Sequence, residues 1–161
     1  MVSQFSVDDK TAIITGSSRG IGEATAKRFA ADGANVVVTS RSPEEIEAVA
    51  AEINDSDRPG EAIAVECDVT DRDAVEALIQ ATVDEFGRVD SMINNAGASF
   101  MADFDDISEN GWKTIVDINL HGTFHGAQLA GQQMQKQDGS GTIINFSSIA
   151  GTLGSRYMTH Y

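Results

Sequence analysis

The chain has 161 residues, 41% hydrophobic and 22% charged, the balance of one globular domain with a sizeable core rather than a disordered segment. Its 11 Lys plus Arg against 25 Asp plus Glu leave a net charge of −14, a field that repels phosphate backbones and argues against a nucleic-acid partner. The one cysteine, Cys67, excludes an internal disulfide and any multi-cysteine zinc site, and the longest apolar runs, such as Val36–Val38, are far too short to span a bilayer.

No charged segment leads into an apolar one at the N-terminus, so the expected location is the cytoplasm. The acids are spread along the chain rather than gathered in a tail. Two readings stand side by side: a solvated acidic surface, or a protein of a high-salt cytoplasm in which salt screens the self-repulsion.

In chain order, Thr11–Thr15 is a short apolar run that ends in a glycine-rich turn, and it predicts a buried strand. From Gly20 to Asp32, Ile21, Ala24, Thr25 and Phe29 recur at roughly helical spacing, and Gly33 sits where a helix C-terminus belongs. Asn35–Thr39 predicts a second buried strand. Ser42 then offers an N-cap, Pro43 a first helical position and Glu44 and Glu45 a favourable first turn, for a helix to about Ile53. Residues 54–60 read as a loop, Ala62–Cys67 as a third strand, and Asp71 to Phe86 as a helix closed by Gly87. A fourth strand is expected over Val89–Ile93, one long helix from the cap Ser108 to about Lys136, and a fifth strand over Thr142–Phe146. Strands alternating with helices predict a single α/β domain over residues 1–161, a doubly wound parallel sheet with helices on both faces and strand order 3-2-1-4-5.

The sharpest local signal is Thr15-Gly16-Ser17-Ser18-Arg19-Gly20-Ile21-Gly22, between the first strand and the first helix. Glycines let the backbone turn tightly and approach a pyrophosphate, and a helix N-terminus offers free N–H groups and positive potential. No Lys-Ser/Thr pair follows, so the loop is not that of a nucleotide triphosphatase. In a dinucleotide-binding unit, an acid at the end of the second strand would bind the ribose 2′-hydroxyl of NAD. Here that strand runs out as Thr39-Ser40-Arg41-Ser42 with no acid. Arg41, with Arg19 from the loop, would instead attract a 2′-phosphate, which favours NADP while leaving NAD open.

These residues resemble the short-chain dehydrogenase/reductase family, of the classical type that includes 3-oxoacyl reductases and sugar or steroid dehydrogenases. The matching segments are the glycine loop, Cys67-Asp68-Val69, Asn94-Asn95-Ala96-Gly97, Ile118-Asn119 and Ile144-Asn145-Phe146-Ser147-Ser148, in the family's order. The resemblance implies a Rossmann-type fold and a carbonyl–alcohol oxidoreductase acting on a small molecule, in a homodimer or homotetramer. It implies that Gly16, Ser18, Arg19, Gly20, Ile21 and Gly22 surround the pyrophosphate, that Asp68 and the Val69 backbone hold the adenine, and that Asn95, Ala96 and Gly97 close over the ribose. Asn119 would mark a helix distortion whose carbonyl binds a water of a proton relay. Ser148 would hydrogen-bond the substrate carbonyl, and Tyr161, 13 residues on, would donate the proton.

Read from the residues alone, Asp68 is equally a turn residue and Asn119 an ordinary helix position. Ser147 and Tyr157 have the wrong spacing for the catalytic pair. The family's lysine, one helical turn beyond the tyrosine, would fall past Tyr161. A fragment of a longer protein, C-terminally truncated and by itself inactive, is therefore expected. The competing reading is a dinucleotide-binding module without catalysis. His121 and His125 are four apart but lack a third metal ligand, so no metal site is assigned. Trp112 and Phe124 are expected to pack inward, and Cys67 to be a small buried hydrophobe.

Overall fold

The β-branched runs dictate the sheet. In the computed structural model, which describes residues 6–161, the strands are β1 (Thr11–Thr15), β2 (Asn35–Ser40), β3 (Ala62–Glu66), β4 (Ser91–Asn94) and β5 (Thr142–Asn145). All pair in parallel, in the order β3-β2-β1-β4-β5. The order in which strands are added reverses between β1 and β4, which creates the crevice at the carboxyl ends of these parallel strands, where ligands of such sheets bind. The register runs Thr11↔Asn35 to Thr15↔Thr39 on one side of β1 and Ala12↔Ser91 to Ile14↔Ile93 on the other.

Alternation along the strands divides the core between two faces. Ala12, Ile14, Val36 and Val38 pack with α1 (Gly20–Ala31) and α2 (Pro43–Asn54). Ile13, Val37 and Met92 pack with α3 (Arg72–Phe86) and α5 (Gly122–Met134). The cap expected at Asp71 forms, its Oδ1 accepting from the N–H groups of Asp73 and Ala74, and Gly87 closes α3 with a φ of 77°. Cys67 is buried among the apolar side chains of the second face, and desolvation there pushes its thiol up to about 12.

The structure corrects several expectations. Ser42 precedes α2 but makes no side-chain cap, so Pro43 and the first-turn acids alone mark that start. β4 begins at Ser91 rather than Val89, because the Gln137 side chain donates to the Val89 carbonyl and accepts from its N–H, taking the place of a neighbouring strand. The single helix from Ser108 to Lys136 is three pieces: α4 (Glu109–Val116), a wide π-type turn over Asp117–His121, and α5. Trp112 and Phe124 do not pack inward; they stand 46% and 52% exposed on the outer side of that assembly. Every residue of β5 is also exposed, so the sheet is covered on both faces only over its β3-to-β4 part.

Candidate functional site

The carboxyl ends of β1 and β4 meet at the glycine loop. Gly16 has a φ of +64°, which favours glycine, and a Cβ there would lie 2.9 Å from Ala96 Cα. Thr15 Oγ1 accepts from the N–H groups of Asn95 and Ala96, at 3.0 Å each. Asn95 Nδ2 returns two bonds, to the carbonyls of Thr15 (2.9 Å) and Gly16 (3.1 Å). Ser17 Oγ donates to the Ile14 carbonyl and accepts from Thr39 N–H, tying the loop to β2 as well. Nothing in the sequence marks Thr15 and Ser17 for this role, because a short hydroxyl beside glycine is common in any turn.

Above this floor lies a cleft of about 340 Å³, lined by Gly16, Ser18, Arg19, Ile21, Arg41, Asp68, Val69, Asn95, Ala96 and Gly97 among others. All the residues expected around the dinucleotide line it except Gly20 and Gly22, which open α1. Gly20 is exposed, with open space where a Cβ would stand, whereas a Cβ on Gly22 would strike the Gly16 carbonyl and Asn95 Nδ2. The N-terminus of α1 carries no side-chain cap, in contrast to α3 and α4, capped by Asp71 and Ser108. Uncapped first-turn N–H groups at the floor of a cleft suit a pyrophosphate.

Asp68 forms the turn expected of it and also lines the cleft. Its Oδ1 closes a turn by accepting from Thr70 N–H and Oγ1, while Oδ2 stays on the cleft side, 3.9 Å from the Arg41 guanidinium. Glu45, from the first turn of α2, lines the same cleft and is a carboxylate the sequence reading places only as a helix-start residue.

A second cleft adjoins the first and shares Ile21, Asn95, Ala96, Gly97 and Ala98 with it. Its other walls include Asn119, Thr123, Ser147, Ser148 and Tyr161, so the three expected catalytic residues are brought together; the spacing decoy Ser147 is there too, and Tyr157 is not. Ser148 Oγ also caps a short helical turn by accepting from Ala150 N–H at 3.2 Å. Asn119 sits within the π-type turn, and its amide pairs with Ala98 in both directions at 2.9 Å. Its carbonyl accepts from Thr123 Oγ1 at 2.8 Å, so one of the two lone pairs expected to serve a water is already used. Asn94 bonds Asn145 across the sheet and lines neither cleft. His121 and His125, considered as metal ligands, face different partners: His121 the Asp117 carboxylate, His125 the Val69 carbonyl. Among the described residues no group of His, Cys, Asp or Glu is arranged to hold a metal, and no helix is long and apolar enough to cross a membrane.

The family model of the short chain dehydrogenases matches residues 10–161. The chain belongs to the short-chain dehydrogenase family. It is similar to the short-chain reductase protein NovJ of Streptomyces niveus, 40% identical over 99% of this chain and 58% of that protein. It is also similar to a 3-oxoacyl-[acyl-carrier-protein] reductase of a Synechocystis species, 40% identical over 94% of this chain and 61% of that protein. A crystal structure of a short-chain type dehydrogenase/reductase from Mycobacterium marinum superposes with a TM-score of 0.93 at 34% identity, covering 98% of this chain and 64% of that one. This short-chain dehydrogenase chain thus spans about three fifths of the length of the curated relatives it matches.

Proposed function

We propose that the protein is an oxidoreductase that interconverts a carbonyl and an alcohol on a small molecule, with NADP(H) preferred over NAD(H). The observation that carries this reading is the shared wall. Residues 95–98 separate a cleft that has an uncapped helix start and two arginines from a cleft that has Asn119, Ser148 and Tyr161.

Bound cofactor supplies the hydride. The protein's own groups place the reactants and handle the proton. The Ser148 hydroxyl holds the substrate carbonyl oxygen, and the Tyr161 hydroxyl gives its proton to that oxygen as charge develops, or takes one back in the oxidative direction. Asn119, pinned to Ala98, keeps the cleft wall at a fixed distance from the turn that carries it.

The cofactor preference rests on Arg19 and Arg41. The pairing of Arg41 with Asp68 is long and largely exposed, so it contributes little, and a doubly charged phosphate offers the guanidinium a stronger, two-point partner. Glu45 in the same cleft opposes that phosphate and keeps the preference moderate. The exposed Trp112, Leu120 and Phe124 along the α4–α5 assembly support self-association into a dimer or tetramer. A dinucleotide-binding module without catalysis is the second reading, favoured by the 47% exposure of Tyr161.

The test is steady-state carbonyl reduction by the gene product containing residues 1–161. A higher kcat/KM with NADPH than with NADH is expected, reversed by Arg41→Asp. Tyr161→Phe should abolish reduction and leave NADPH binding intact. A wild-type preference for NADH would overturn the cofactor assignment, full activity of Tyr161→Phe would remove the proton donor, and tight NADPH binding without any turnover would select the second reading.

A further inference from the structure

The adenine end of the first cleft is a three-residue turn, Asp68-Val69-Thr70, between β3 and α3. Its own hydrogen bonds are local: Asp68 Oδ1 to Thr70, and Asp71 N–H to the Asp68 carbonyl at 3.0 Å. Towards β2 the turn is held at its base by the Cys67 N–H bond to the Ser40 carbonyl at 3.0 Å and by the long Arg41–Asp68 pairing. On its other side the turn is restrained by one helix, α5, whose Thr123 lines the second cleft.

Three contacts make that link. His125 Nδ1 lies 3.0 Å from the Val69 carbonyl oxygen. A carbonyl can only accept, so Nδ1 carries the hydrogen and donates. One turn earlier on the same helix, Gly122 presents bare backbone to Val69; a Cβ there would lie 2.7 Å from Val69 Cγ2 and 3.0 Å from Val69 Cβ. One turn later, Gln128 Oε1 accepts from the Arg72 guanidinium at 2.7 Å, which holds the start of α3. Gly122, His125 and Gln128 are spaced by three residues, so they share one stripe of the helix. The helix begins directly after the π-type turn that places Ile118 in the first cleft and Asn119 in the second.

We infer that His125 is a positioning residue for the adenine subsite: by donating from Nδ1 to the Val69 carbonyl it sets the height of the Asp68–Val69 rim against the same helix that carries the wall of the reaction cleft. This rests on the dinucleotide reading above. His125 lines neither cleft; it acts through Val69. What it contributes is a fixed rim in the free protein, so that the adenine meets an edge already in place and less ordering is left for the binding step.

The chemistry makes a specific prediction about replacement. Asn can place a donor where His has Nδ1, Gln places one nearer Nε2, and Leu supplies none. The probes are adenosine 2′,5′-bisphosphate, which reports the adenine end alone, and nicotinamide mononucleotide, which reports the other end. Both are titrated into the gene product containing residues 1–161, with the thermal midpoint of each ligand-free variant recorded. His125→Leu should raise the Kd of the bisphosphate by about fivefold, the weight of one lost hydrogen bond, and leave that of the mononucleotide unchanged. His125→Asn should restore binding to within about twofold and His125→Gln should not. Gly122→Ala, which pushes on Val69 from the same helix without touching His125, should weaken the bisphosphate in the same way.

Equal bisphosphate affinity in wild type and His125→Leu overturns the inference while leaving the dinucleotide reading intact. So does a parallel loss for both probes, since that is the mark of general loosening. A wild-type protein that binds the mononucleotide, the bisphosphate and NADPH not at all overturns the dinucleotide reading, and the inference with it.

Discussion

β1 and β5 are both short, apolar, parallel strands of one sheet, yet all five residues of β1 are buried and all four of β5 are exposed. The difference is one of neighbours rather than composition. β1 has strands on both sides and helices over both faces, while β5 pairs only with β4 and receives little beyond the edge of α5. The functional site straddles the two conditions. The first cleft is built on the interior strands and floored by a closed hydrogen-bond circuit. The second cleft is walled by Phe146, Ser147, Ser148 and Tyr161, from the exposed side.

The contrast is broken most severely by trimming matched isoleucines. Ile13→Ala removes a side chain with 0% exposure and is expected to cost about 2–5 kcal/mol, whereas Ile144→Ala, at 42% exposure, should cost under about 1 kcal/mol. Urea unfolding of both variants of residues 1–161 measures it; equal losses would mean that β5 is as well packed in solution as β1. A smaller effect sharpens the comparison at the join between the two strands. Thr15→Val keeps the shape but strips the acceptor from the N–H groups of Asn95 and Ala96, for a loss of about 1–3 kcal/mol. An unchanged urea midpoint would show that water replaces Thr15 Oγ1 and that the circuit is not what steadies the cleft floor.

The smallest effect lies at the helix break, where Asp117 accepts from Lys113 and sits 3.0 Å from His121 Nδ1. The Lys113 hydrogen bond, more than any other influence, holds the Asp117 carboxyl below its ordinary value. A folded-state pKa below the unfolded one stabilises the fold at pH values above the ordinary carboxylate range, and that contribution fades as the pH falls through the depressed value. Wild type should therefore melt slightly above Asp117→Asn at about pH 6, and the gap should close toward about pH 3. A gap that persists at the acid end would assign the effect to shape rather than charge.

How much of this was legible in the sequence follows from where the forces are local. Buried β-branched runs separated by short turns give the strand order, because each parallel pair needs a crossover helix between its strands, and the right-handed crossover leaves few alternatives. Caps such as Asp71 and Ser108 act within one turn, and both form as expected. The break at Asp117–His121 was not legible from propensity, since Ile118-Asn119-Leu120 is compatible with an ordinary helix; the resemblance alone pointed to Asn119. What distorts the helix is tertiary, the paired bonds from Asn119 to Ala98 some 21 residues away. Glu45 was missed for the same reason: its first-turn role is local, whereas its place in the cleft depends on where β2 delivers α2. Trp112 and Phe124 misled because large aromatics are inside by default, and a helix face has no sequence mark that says which surface it meets.

The closed circuit at the cleft floor has a temporal side. Thr15 and Asn95 are 80 residues apart, so β1, the glycine loop and β2 leave the ribosome long before the amide that staples the loop exists. The glycine loop, synthesised early, is thus fixed in shape only after β4 has emerged. It waits for β4 to dock beside β1, a non-local pairing of the kind that slows folding. A nascent chain halted before residue 95 would hold every glycine of the loop and none of the bonds that Asn95 and Ala96 make to it.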